Sequence, residues 1–122
     1  MAPPFNTFRE VGRVAGTNPR DFEQQVLLAV WRLGKRAYGA SVRDELEART
    51  ERTVAQGAIY VTLVRLQKKG FLRSHLADPT PVRGGKSKRY YDITPAGRAA
   101  LRASLDAVRL MAEGIDLVSD TP

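Results

Sequence analysis

The chain has 122 residues, no cysteine, a net charge of +7 and 43% hydrophobic residues. That length fits one domain with a small core, and it leaves no disulfide, thiolate nucleophile or cysteine-ligated metal to consider. No apolar run reaches the roughly 18 residues a membrane helix needs, and Met1–Arg20 lacks the apolar region of a signal peptide. A soluble, cytoplasmic protein without cofactor or metal is expected.

The charge is informative once located. Between Thr53 and Tyr91 lie Arg65, Lys68, Lys69, Arg73, Arg83, Lys86, Lys88 and Arg89 against the single acid Asp78. These residues account for the whole net charge, and the remainder of the chain is neutral. A solubilised surface spreads its excess charge, whereas a footprint for a polyanion concentrates it. Double-stranded DNA is the expected partner; chance clustering on a solvated face is the plain alternative.

Residues 1–20 mix proline, glycine and arginine without a period and are expected to form a flexible arm. From Asp21, a candidate cap with Gln24 three residues on, Phe22, Val26, Ala29, Val30 and Leu33 recur at helical spacing, and Gly34 ends the helix. Tyr38–Ala40 reads as a short extended or turn segment. Ser41 caps a second helix running to about Arg49, with Val42 and Leu46 inward. Thr53 and Gln56 have capping-box spacing for a third helix, Val54–Lys69, whose stripe is Ala55, Ile59, Leu63 and Leu66, and Gly70 stops it.

The period then changes from helical to alternating. Leu72, Ser74 and Leu76 share one strand face, and Phe71, Arg73 and His75 the other. After a tip rich in proline and glycine the chain returns as Arg89–Ile93, with Tyr91 and Ile93 on one face. Thr94-Pro95 is a cap followed by proline at the first helical position, opening a long helix to Val118. Its stripe is Leu101, Leu105, Val108, Ala112 and Ile115. The expected fold is mainly α with a small β-hairpin wing: an arm (1–20), a winged helix-turn-helix (21–94), a C-terminal dimerisation helix (95–118) and a short tail.

In such a fold the third helix enters the major groove, the only groove wide enough for it. Gln56 can pair with adenine from the first turn, or cap the helix with Thr53. Gly57 permits close approach of a phosphate or base, or a tight contact with a neighbouring helix. Tyr60, Arg65 and Lys68 are candidate phosphate contacts, with a half-buried Tyr60 as the alternative. Lys69 complements the helix C-terminus. Arg83, Lys86, Lys88 and Arg89 make the wing a cationic finger suited to the minor groove or flanking phosphates. Trp31 reads as a core or interface residue and His75 as inert. The three-four stripe of the last helix suits packing along a second copy, with folding back on its own domain as the alternative.

At this point the chain resembles the PadR family of winged-helix regulators. The resemblance rests on Tyr38-Gly-Ala-Ser, Gln56-Gly-Ala-Ile-Tyr60, and Leu63-x-x-Leu66-x-x-x-Gly70-Phe-Leu72. It continues through Lys88-Arg-Tyr-Tyr-Asp-Ile-Thr94 and Gly97-Arg-x-x-Leu101, and covers roughly Phe22 to Leu110. It implies a homodimeric transcription factor, usually a repressor released by a small molecule, with DNA contacts from Gln56, Tyr60, Lys86 and Lys88. The match is to shorter members with a single C-terminal helix. Gln67 departs from the acid the family often has there, and the N-terminal arm falls outside the pattern.

A sequence-specific DNA-binding regulator on an inverted-repeat operator is therefore the leading expectation. A winged-helix protein-interaction module and a non-specific architectural DNA binder are the alternatives. Catalysis is not expected, because the basic stretch holds no paired carboxylates, no metal-ligand spacing and no nucleophile with a base.

Overall fold

The computed structural model describes residues 19–77 and 88–119. The arm up to residue 18 and the hairpin tip, with Arg83 and Lys86, lie outside the described residues. Helix α1 spans Asp21–Leu33, and a single 3-10 turn, Gly34–Arg36, follows it. Helices α2 (Gly39–Thr50) and α3 (Gln56–Lys68) lead into an antiparallel hairpin of β1 (Leu72–Leu76) and β2 (Arg89–Ile93), and α4 spans Pro95–Ala112. This is the winged helix-turn-helix plan. Among the described residues no helix is long and apolar enough to cross a membrane.

The caps differ in detail from the sequence reading. In α1 the cap is Arg20, not Asp21, and its backbone N–H donates to the Glu23 carboxylate at 3.0 Å. Asp21 instead sits in the first turn, where a negative charge favours the helix dipole. Helix α2 starts at Gly39, ahead of the expected cap Ser41. Ser41 takes the third helical position, where its hydroxyl accepts from the Tyr38 N–H (2.9 Å) and donates to the Arg36 carbonyl (2.6 Å). Helix α3 starts after Ala55, so Thr53 does not cap it. The turn before it is held by Glu47, whose carboxylate accepts from the Val54 N–H at 2.8 Å.

The core is the inner faces of α1 to α3 closed by the hairpin. Val26, Leu27 and Val30 of α1 meet Val42 and Leu46 of α2, and Ile59, Leu63 and Leu66 of α3. Burying each such aliphatic side chain contributes roughly 1.5–3 kcal/mol. Ala55, expected in the α3 stripe, is exposed; Val54 and Thr62 are buried instead. In the hairpin Leu72 pairs with Ile93 and Ser74 with Tyr91, so Leu72, Tyr91 and Ile93 face the core as the alternation requires. The segment before α2 adds a rung: the Ala37 carbonyl accepts from the Tyr91 N–H at 2.9 Å, and Tyr38 bridges Tyr90.

Two buried features tie the helices together. Glu23 is 2% exposed and receives the Lys69 ammonium at 2.9 and 3.1 Å, joining the start of α1 to the end of α3. Lys69 is thus more than a dipole complement. Helix α4 packs on α1: Gln24 hydrogen-bonds Ser104, and the Arg98 and Arg102 guanidinium groups each lie 5.5 Å from the Trp31 ring centre. Trp31 belongs to that seam.

Helix α4 corrects two expectations. It has 18 residues, roughly 27 Å at 1.5 Å per residue, and ends at Ala112 rather than Val118. Beyond it Gly114 adopts φ 85°, and the Asp116 carboxylate accepts from the N–H groups of Val118 and Ser119, so Ile115 is past the helix. Leu101, expected at a dimer interface, is 1% exposed and lies in the domain's own core.

The start of α4 is fixed by Thr94 and Gly97. The Thr94 hydroxyl accepts from the Gly97 N–H (3.0 Å) and donates to the Gly70 carbonyl (2.7 Å), while the Thr94 N–H donates to the Phe71 carbonyl (3.0 Å). A Cβ on Gly97 would stand 2.2 Å from the Phe71 carbonyl oxygen, a backbone atom that cannot turn aside. Gly97→Ala is therefore expected to cost about 2–3 kcal/mol, read as a lower urea midpoint at unchanged slope. Gly57→Ala is the control: a Cβ there meets nothing within 4 Å, and the variant should be as stable as the parent or about 0.5 kcal/mol more so.

Candidate nucleic-acid interface

The buried stripe of α3 dictates what its other face offers. Gln56, Gly57, Tyr60, Val61, Arg65 and Lys68 are all exposed. Gln56 is the first residue of the helix and has no capping role, so its amide is free to face a ligand. The space around Gly57 removes the close helix contact as a reason for glycine there. Tyr60 is 62% exposed, too open to be a half-buried core tyrosine.

The hairpin carries the other half of the site. Gln56 and Tyr60 of α3, with Lys88 and Arg89 at the root of the wing, line one cleft of about 290 Å³ floored by Leu63 and Tyr91. Tyr60 also borders a second groove of about 290 Å³, along α3, with Val61, Val64, Arg65 and Lys68. The described wing-root cations therefore share a cleft with the first turns of the helix, and Arg65 and Lys68 lie further along it. Arg83 and Lys86 fall outside the described residues.

Each wing-root cation is held. The Lys88 ammonium lies 4.4 Å from the Tyr38 ring centre, a cation–π contact. Arg89 donates to the Ser74 hydroxyl at 2.9 Å, and that hydroxyl donates to the Gln67 side-chain oxygen at 3.0 Å. Gln67, the position where an acid was the expected pattern, thus links α3 to the wing. Burial holds the Tyr91 phenol above its ordinary pKa, against the opposing pull of Arg89, and with Leu63 it gives the cleft an uncharged floor. A neutral floor beneath two held cations, beside a helix end carrying an amide and a phenol, can take an anionic backbone and present donors to flat polar edges.

Sequence reasoning missed the aromatic support. Tyr38 packs against Tyr90 at 5.4 Å between ring centres, and His75 stacks on Tyr90 at 5.9 Å, so His75 is part of the wing's outer face. The strand alternation that placed Tyr91 inward already places Tyr90 outward; Tyr38 follows only once its bridge to Tyr90 is seen. Lys35 and Arg36, outside the basic stretch, lie on this same side.

The chain is similar in sequence and in fold to known transcriptional regulators. The chain is 37% identical over 78 residues to the transcriptional regulator Rv3488 of Mycobacterium tuberculosis, covering 64% of this chain and 68% of that protein. A transcriptional regulator from Clostridium thermocellum has the same fold, with a TM-score of 0.64 at 22% identity over 75% of this chain and 85% of its own. A PadR family transcription regulator from Clostridium difficile superposes with a TM-score of 0.55 at 25% identity, covering 74% of this chain and 91% of that one. Residues 27–103 match the Transcriptional regulator PadR-like family, which groups regulators rather than enzymes, and the chain belongs to that family.

Proposed function

We propose that this PadR-like regulator is a sequence-specific DNA-binding protein: a homodimeric repressor that reads an inverted-repeat operator in the cytoplasm. The observation that carries this reading is the cleft shared by Gln56 and Tyr60 of α3 with Lys88 and Arg89 of the wing. Gln56 selects a base in the major groove, Tyr60 fixes the register through a phosphate, and the wing-root cations supply affinity. Arg65 and Lys68 follow the backbone along the rest of the helix, and Arg83 and Lys86 extend the wing's contact. Release by a small molecule rests on the family resemblance alone.

Dimerisation is supported by the apolar face of α4 beyond the core. Leu105, Val108 and Met111 are exposed on one side of the helix and Leu110 on the opposite side, and Ile115, Leu117 and Val118 are exposed after it. Exposed apolar residues gathered along one helix side favour an interaction face there. With Leu101 buried, the dimer contact is Leu105, Val108 and Ala112 with Met111, continued by Ile115.

The DNA reading is tested with a duplex obtained by in vitro selection and a scrambled duplex of equal length. The parent should prefer the selected duplex by at least about a thousandfold. Gln56→Ala should lose about 1–3 kcal/mol on the selected duplex and relax the preference at one base. Lys88→Ala should weaken both duplexes by a similar factor. Gly57→Leu should fold normally yet bind poorly, because the added side chain stands where DNA approaches. Equal affinity of the parent for both duplexes would point to an architectural binder instead.

The dimer is tested by Val108→Asp/Met111→Asp, which leaves the core intact. Sedimentation velocity should show a monomer, and affinity for the selected duplex should fall more than tenfold. A double variant that sediments as a dimer places the contact elsewhere.

A further inference from the structure

Most basic residues of the described chain are engaged by partners within it. Arg32 and Arg49 hold Glu45, Arg43 holds Glu47, Arg73 holds Asp92, Lys69 holds Glu23, and Arg109 holds Asp106 and Glu113. Arg98 and Arg102 lie over Trp31. Lys35 and Arg36 are exposed and make no ion pair among the described residues. They lie in the 3-10 turn between α1 and α2, outside the third helix and the wing.

Their backbone is nevertheless held. The Arg36 carbonyl accepts the Ser41 hydroxyl at 2.6 Å, and the Ala37 carbonyl next to it accepts the Tyr91 N–H at 2.9 Å. Two cations are thus carried on a pinned turn, beside the hairpin. Lys35, Arg36, Tyr38, His75, Lys88 and Tyr90 line one concavity of about 610 Å³. Tyr38 and Lys88 also line the cleft that holds Gln56 and Tyr60, so the two hollows share a wall. The concavity continues the proposed DNA interface on the far side of Lys88.

We infer that Lys35 and Arg36, with Lys88, form a clamp for the DNA backbone phosphates flanking the segment read by α3. The inference rests on the DNA-binding reading and extends its footprint to the turn between α1 and α2. The clamp contacts phosphates alone, because the turn lies outside the helix that enters the groove and its cations meet the backbone flanking it. It acts on affinity and leaves sequence choice to Gln56.

The experiment measures affinity against salt concentration by fluorescence anisotropy, on the selected and scrambled duplexes, for the full chain and for Lys35→Ala/Arg36→Ala. Each neutralised phosphate contributes about 0.9 to the slope of log affinity against log salt. The double variant should have a slope shallower by about 1.8, so between 50 and 200 mM salt it loses roughly tenfold less affinity than the parent. Both duplexes should weaken by the same factor, and Lys35→Arg/Arg36→Lys should retain the parent slope. An unchanged urea midpoint separates this from unfolding. A parent whose binding falls with salt while the alanine variant keeps the same slope overturns the clamp and leaves the DNA reading standing. A loss confined to the selected duplex also overturns it, by assigning the turn to base reading. A parent that binds neither duplex overturns both.

Discussion

The junction of Gly70 and Phe71 with Thr94 and Gly97 is the constraint on which the arrangement of the molecule depends. Four elements meet there: the end of α3, the start of β1, the end of β2 and the start of α4. The Thr94 hydroxyl donates to the Gly70 carbonyl, just past the end of α3, and accepts from the Gly97 N–H in the first turn of α4, so a single side chain caps α4 and ties it to the turn after α3. Gly97 lets the first turn of α4 press against the Phe71 backbone, where any side chain would force the two apart. Gly70 adopts φ 83°, the left-handed value that turns α3 into the strand. Once these positions are set, the base of the hairpin cannot move against the end of α3 without breaking the Thr94–Gly70 hydrogen bond and the close contact of Gly97 with Phe71.

Electrostatics then divides the surface by function. Among the described residues the most buried ion pair is Glu23 with Lys69, whose ammonium reaches both carboxylate oxygens; the carboxylate also accepts the Arg20 N–H, the geometry that lets a buried carboxylate offset its lost hydration. On the α1–α2 side, hydrogen bonds from Arg49 and then Arg32 hold the Glu45 carboxyl below its ordinary pKa. A lowered folded-state pKa adds stability that is fully present above the ordinary carboxylate pKa and is lost as the pH falls through the lowered value. Away from these pairs, Arg65 and Lys68 on α3 and Lys35 and Arg36 beside the wing make no ion pair among the described residues. Cations left unneutralised are the ones available to a polyanion.

Much of this was legible in the sequence, because periodicity reports burial directly. The change from a 3.6 to a 2.0 repeat after Gly70 located the hairpin and set Tyr91 and Ile93 inward, and Thr94-Pro95 located the start of α4. Caps were less legible. Ser41 and Thr53 are good capping residues, yet the helix starts at Gly39 because Tyr38 is held extended by its bridge to Tyr90, a contact 52 positions away. Thr53 loses its role because Glu47, from the preceding helix, already satisfies the turn. Leu101 misled for a related reason: an apolar stripe does not state where one partner ends and the next begins. Lys35 and Arg36 lay outside the charge window because the chain brings them to the wing only through the Ala37–Tyr91 rung.

In the proposed dimer, affinity and geometry are coupled through α4. The stripe of α4 starts inside the domain at Leu101 and leaves it by Val108, so one helix is both a core element and an interaction face. Its buried half is welded to the base of the wing through Thr94 and Gly97, and to α1 through Gln24, Ser104 and the Trp31 seam. A change in the angle at which two exposed halves cross would therefore carry each wing and each α3 with it as one body. Half-sites on DNA recur at about 34 Å, and a rigid link from dimer contact to reading head is what such spacing demands. Flexibility in that link would cost affinity even with every DNA contact intact, since the second domain would have to be ordered on binding. In the proposed dimer the glycine at the junction would serve reading as well as folding, by removing play between the helix proposed to pair two copies and the helix proposed to read DNA.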